Sequence, residues 1–292
     1  MRPAALLLTL ATLLASVALL AQGAAPGRRG PRLPAGVKSH RDNKTVAEQW
    51  LWHMGMLRGV YEIDGVATLE LEKSKGTIRA AGQPCTLLNY RASLSYQIPG
   101  MRAQYTCTRA DGQQYKAIEV VSGQYAWDED MPGAELVAGK GKATPKPELV
   151  SERLIRLWSS PQGAPKAAEA AGANAKVTME AGKTVITYPV PGVAGAIARA
   201  TLTAGAPDGI CTTSCGERIE VRQGNVVTEF TYANYEDYND AENRIVAFFP
   251  GRSTEKRDGV TILDLTVERT ETGNVYVVMP VPDSVRRAAP TR

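Results

Sequence analysis

The sequence predicts an α+β fold that is mostly antiparallel β with few helices. Three observations carry this reading: apolar and polar residues alternate with a period of two in several runs, turn-forming pairs separate those runs, and helical spacing occurs in only two segments. No internal repeat is apparent. The 292 residues suffice for one large or two small domains with a substantial core.

The chain opens with one Arg, an apolar core from Ala4 to Leu20, and small residues at Ala21 and Gly23. This is the pattern of a signal peptide over residues 1–25, directing the protein to the periplasm or outside the cell. An uncleaved anchor is the alternative, because the run is nearly long enough to span a bilayer. Residues 26–42, rich in Pro, Gly and Arg, read as a flexible leader. "NKTVAEQWLWHMGMLRG" follows with capping candidates at its start and Gly59 at its end, so a helix is predicted there. Val46, Trp50, Met54 and Leu57 form its apolar stripe, with Ala47 and Leu51 beside it.

The clearest strand is "LLNYRASLSYQI", in which Leu88, Tyr90, Ala92, Leu94, Tyr96 and Ile98 alternate with polar residues and Arg91. Turns are expected at Pro99-Gly100, Asp111-Gly112 and Ser122-Gly123. Two-residue turns would set Ile98 opposite Met101, Ala110 opposite Gln113 and Val121 opposite Gln124. That register gives one transverse row of Leu94, Tyr105, Ile118 and Trp127, and a second of Tyr96, Ala103, Val120 and Tyr125. A slip of one residue at any turn would move a whole strand's apolar set to the other face.

"KPELVSERLIRLWSS" predicts a second helix, on which Leu149, Leu154, Leu157 and Trp158 can meet one surface. The flanking "GAELVAGKGKATPK" and "SPQGAPKAAEAAGANAK" read as mobile connectors with some helical tendency, and "GVAGA" at Gly192–Ala196 as a loop or bulge. A Gly224-Asn225 turn pairs Gln223 with Val226 and leaves Ile219, Val221, Val226, Thr228, Phe230 and Tyr232 on one side. The acids Glu236, Asp237 and Asp240 fall in a polar turn. Further strands are expected at "RIVAFFP", "VTILDLTVERT" and "NVYVVMP", with Leu263, Leu265 and Val267 sharing a face.

The formal charge of +4 is too small to argue for nucleic acid, and no Lys/Arg block with interleaved aromatics occurs. Cys85, Cys107, Cys211 and Cys215 all follow the apolar run, which favours disulfides in an oxidising compartment. Cys211 with Cys215 would close a short loop, leaving Cys85 with Cys107. Zinc held by thiolates is the competing reading, although neither pair has the two-residue spacing of common structural knuckles. Asp128, Glu129 and Asp130 in "WDED" are the best candidates for hydrolytic carboxylates, against a solvated strand end with Glu129 near Lys116. His53 lacks an identifiable partner for general-base work, and no nucleophile elbow or phosphate loop is present. No catalytic motif and no cofactor are therefore expected.

The stretches "FTYANYEDYND", "IVAFFPGRSTEKRDG" and "VTILDLTVERTETGNVYVVMPVPDSV", together with "VVSGQYAWDED", carry a resemblance. Over residues 45–280 the chain resembles the LolA/LolB-like superfamily of periplasmic lipoprotein-sorting carriers, with Phe249-Pro250 and Met279-Pro280 at matching landmarks. It departs in the long stretch from Met131 to Lys176, in its four Cys, and in lacking a Gly before Pro250. The resemblance implies an incomplete, curved antiparallel barrel whose helices cover an apolar cavity that receives acyl chains. It implies one domain over residues 43–285 with a helical and loop insertion at 131–176, before a disordered tail at 286–292. The expected role is a non-enzymatic carrier or sensor for a lipid, acylated protein or other hydrophobic ligand, meeting a membrane or protein partner transiently. Leu94, Tyr96, Tyr105, Ile118, Val120, Tyr125 and Trp127 are the expected cavity lining, with Phe230 and Tyr232 added. The alternatives are an accessory module filled by its own side chains, which acts through a protein partner, and a hydrolase using the three acids.

Overall fold

A computed structural model describes residues 45–54, 68–72, 74–203, 215–237, 248–272 and 277–288. The expected signal peptide, the leader, Leu57 and Asp240 lie outside the described residues. Helix α1 (Val46–His53) starts where Thr45 and Glu48 cap each other reciprocally, and it buries Ala47, Trp50 and Leu51. Strands β1 (Thr68–Glu72), β2 (Lys75–Ala80), β3 (Gln83–Ser95), β4 (Gly100–Arg109), β5 (Gln114–Ser122), β6 (Tyr125–Glu129) and β7 (Ala143–Pro145) follow. Helices α2 (Val150–Trp158) and α3 (Gly163–Ala170) come next, then β8 (Lys176–Glu180), β9 (Lys183–Pro189), β10 (Ala196–Leu202), β11 (Gly216–Gln223) and β12 (Val226–Asp237). The chain ends with β13 (Phe248–Arg257), β14 (Val260–Thr266), β15 (Arg269–Thr272) and α4 (Asp283–Ala288).

All strand pairings are antiparallel and belong to one sheet, ordered β7-β6-β5-β4-β3-β2-β14-β13-β12-β11-β10-β9-β8, with β1 and β15 off that path. The sheet does not close, so β7 and β8 are its two edges. β1 and β2 keep one register against β3 and one against β14 and β15, so they continue a single line of pairing. Gly76 is the close-approach point of that strand. Its φ is +140°, and a Cβ there would lie 1.9 Å from the Asp264 carbonyl oxygen.

The β11–β12 hairpin has the expected register, Gln223 opposite Val226 and Ile219 opposite Phe230. The meander from β3 to β6 differs from its prediction at all three turns. Tyr96–Pro99 form a four-residue loop, so Leu94 faces Met101 and Tyr90 faces Tyr105. Leu88 is exposed at a bulge between Leu87 and Asn89, and Ile98 is exposed in the loop. At the second turn Gly112 takes φ +81° and Arg109 bonds Gln113, adding one residue to the loop. Tyr105 therefore faces Ala117, and Ile118 and Val120 turn to the opposite face. The third turn sits at Gly123-Gln124, so Ser122 faces Tyr125 and Val120 faces Trp127.

The main core lies on one face, where Trp50, Leu51 and Met54 of the first helical segment, Leu154 and Leu157 of α2, and Ala164 and Ala167 of α3 pack with the strands. Helix α3 occupies the expected connector. Its Ala residues at helical spacing present a flat surface that lets the backbone sit close to its neighbours. On the other face Val120 and Trp127 form a smaller cluster with Met279 and Val285 from the C-terminal segment. The disulfide Cys85–Cys107 ties β3 to β4 with Cα atoms 5.5 Å apart, which removes both thiols from any zinc site. Cys215 is also disulfide-bonded, and Cys211, its expected partner, lies outside the described residues.

Candidate functional site

An apolar slot lies between the main face of the sheet and the C-terminal end of α2. Tyr90, Ala92 and Leu94 of β3 and Met101 of β4 form one wall. Phe230 and Tyr232 of β12, Phe249 and Glu255 of β13, and Leu263 and Leu265 of β14 form the other, with Arg156, Ser160 and Pro161 above. Register explains the second wall: Phe230, Glu255 and Leu263 are cross-strand neighbours, as are Tyr232, Ser253 and Leu265. β4 and β12 are five strands apart in the sheet order, about 24 Å if the sheet were flat. Both can border one slot only because the sheet curves.

The slot is small, ≈ 70 Å³, and its own side chains fill most of the space between the walls.

Polar groups of the roof and walls are paired with one another. The Tyr96 hydroxyl lies 2.9 Å from Ser160 Oγ, Ser160 Oγ donates to the Leu157 carbonyl, and Tyr232 donates to the Ser159 carbonyl. Arg156 donates from Nε to Glu255 at 2.6 Å and lies 3.5 Å from Glu119. Arg257 reaches Glu152 at 2.7 Å, and the Tyr105 hydroxyl donates to Glu119 at 2.9 Å. Burial pushes the Tyr90 phenol up to about 12, and burial followed by Tyr235 and Glu255 holds the Tyr232 phenol well above its usual range. The wall tyrosines are therefore neutral hydrogen-bond donors at ordinary pH.

Of the predicted lining, Leu94, Phe230 and Tyr232 border the slot. Tyr96 and Tyr105 share its face, but their hydroxyls are engaged by Ser160 and Glu119. Ile118, Val120, Tyr125 and Trp127 lie on the opposite face in the smaller cluster. The one-residue addition at Gly112 separates them from the others. The sequence reading missed Phe249, Arg156 and Glu255; the two charges join across 99 residues, a pairing that no local pattern signals.

The acids of "WDED" do not converge. Glu129 is buried, and it accepts from Nε and Nη2 of Arg102 at 3.2 Å each, from Trp127 Nε1 at 2.9 Å and from the Gly133 N–H at 2.9 Å. Its partner is Arg102, not Lys116, and it is not a solvated strand end. Asp128, one residue away and so directed to the other face, meets Arg153 at 2.5 Å. Arg153 also donates to the carbonyls of Val120 and Trp127, locking α2 to β5 and β6. His53 ends α1, half-buried. Among the described residues no cluster of His, Cys, Asp and Glu could hold a metal ion, and no helix is long and apolar enough to cross a membrane.

No protein-family model matches this sequence, and no curated protein matches it.

Proposed function

We propose that the protein is an exported, non-enzymatic carrier or sensor that takes an acyl chain into the slot beneath α2. The observation that carries this reading is the slot itself: a small, mainly apolar cleft, walled by a curved sheet and roofed by the α2–α3 turn. Each methylene removed from water contributes about 0.8 kcal/mol, so a ten-carbon insertion offers roughly 8 kcal/mol before ordering costs. The described form is narrow, so uptake displaces Ser160-Pro161 away from Phe230 and Leu263. The disulfide between Cys85 and Cys107 supports an oxidising compartment, in keeping with the signal-like N-terminus. An open antiparallel sheet with α1, α2 and α3 on its main face is in keeping with the architecture expected of a LolA/LolB-like carrier.

The competing accessory-module reading draws on the small size of the slot, ≈ 70 Å³. Native mass spectrometry after export, together with saturable uptake of an environment-sensitive apolar dye, separates the two. Co-purified lipid or one-to-one dye binding is the expected result. A protein that binds neither is the self-filled module.

A further inference from the structure

The two edges of the sheet are treated differently. β7 is three residues long, ends in Pro145 and packs against α4, all of which block pairing with another strand. β8 carries none of these devices. It hydrogen-bonds to β9 on one side, every one of its five residues is exposed, and Val177 and Met179 are 48% and 67% exposed. It contains no proline and no bulge.

The sequence of β8, Lys-Val-Thr-Met-Glu, is complementary to itself when reversed. Antiparallel pairing about Thr178 sets Lys176 opposite Glu180 of a second copy, Val177 opposite Met179, and Thr178 opposite its own equivalent. The Lys176–Glu180 and Val177–Met179 pairs each occur twice and Thr178 meets its equivalent once on the axis, as two-fold symmetry requires. Other registers lose the match: centring on Val177 sets Lys176 against Thr178 and leaves Glu180 without a strand neighbour. The apolar pair falls on the face of Ile186, beside a groove of ≈ 390 Å³ lined by Val46, Ala47, Ala168, Ala175, Val177 and Ile186. Within its own chain Glu180 meets Arg199 of β10 and accepts from Thr178 Oγ1 at 3.2 Å, so Lys176 of a second copy joins or displaces those contacts.

We propose that β8 pairs with β8 of a second copy, joining two sheets edge to edge in a two-fold dimer whose register is set by Lys176 and Glu180. Five residues a side is a small contact, so the dimer is weak and forms and separates with concentration.

Sedimentation velocity of the full chain over a wide concentration range tests this. Lys176→Glu alone sets Glu against Glu twice, and Glu180→Lys alone sets Lys against Lys twice, so each variant should dimerise about tenfold less well. Mixing the two variants restores both opposite-charge pairs and should bring back association as a heterodimer. A merely structural defect in either variant would not be repaired by mixing. A monomer at every concentration, a dimer indifferent to both reversals, or two variants that stay apart when mixed would each overturn the proposal.

Discussion

Arg156 and Glu255 join helix α2 to strand β13 through two hydrogen bonds of 2.6 and 3.1 Å, with the Glu255 side chain only 3% exposed. Burial alone would pull the guanidinium down, but Glu255 and then Glu119 outweigh it and hold Arg156 charged. Glu255→Gln removes the main counter-charge and leaves Arg156 with Glu119 and Glu152 at 3.5 and 3.8 Å. The expected loss is about 3 kcal/mol in a denaturant titration. Arg156→Met combined with Glu255→Leu should lose less than Glu255→Gln, because neither charge is then stranded. Equal losses would mean that the pair's charge is not what holds α2 down.

Gly76 makes a second, independent prediction. A side chain there meets the Asp264 carbonyl at 1.9 Å and must also adopt φ +140°. Gly76→Ala should cost about 2 kcal/mol or more by forcing β2 away from β14. Hydrogen exchange would locate the damage, with faster exchange at Ile78 and Leu263, which are paired in the register. A variant as stable as the parent would show that β2 can shift against β14 to admit the side chain.

Loop length decided which parts of this fold were legible. Gly224-Asn225 is a true two-residue turn, and counting outward from it placed Phe230 opposite Ile219 as found. Pro99-Gly100 looked equally clear, yet the turn spans Tyr96–Pro99, and the extra residues carry apolar side chains that read as strand. Asp111-Gly112 named the right place, but left-handed Gly112 added a residue and sent Ile118 to the other face. Side-chain alternation cannot detect that slip, because β5 is apolar enough on both faces to fit either register. Helix α3 was hidden for another reason: Ala and Gly give weak hydrophobic contrast, although Ala164 and Ala167 are fully buried. The slot drew Leu94, Phe230 and Tyr232 from local patterns, whereas Arg156 enters only through tertiary packing.

Lys166 on α3 gives a pH signature. Burial lowers its amine to about 8 from 10.5, with Glu169 opposing, and Nζ sits 5.4 Å from the centre of the Tyr96 ring. Between these two values the unfolded chain binds the extra proton, so stability rises with pH through that window. The tyrosines act in the other direction: Tyr90 is raised to about 12, so its contribution is complete below 10 and is lost as pH climbs toward 12. Denaturant midpoints should therefore rise from about pH 7 to about pH 9.5 and then fall. Lys166→Met should remove the rise and keep the fall. A variant with the parent's rise would assign it to another group.

Filling the slot tests the carrier reading on the residues that build it. Ala92 is 2% exposed and borders the cavity between Tyr90 and Leu94, so Ala92→Phe adds a ring where a chain would lie. Overpacking costs about 1–3 kcal/mol, less where empty space already exists. The fold should survive, as far-ultraviolet circular dichroism would confirm, while apolar dye uptake falls by about tenfold or more. Ile118→Ala supplies the control: it lies on the opposite face with Val120 and Trp127, so uptake should be unchanged. The reverse pattern, with uptake kept in Ala92→Phe and lost in Ile118→Ala, would move the site to the outer face. Uptake kept in both would leave the slot as ordinary core, closed by Phe230, Leu263 and the α2–α3 turn for stability alone.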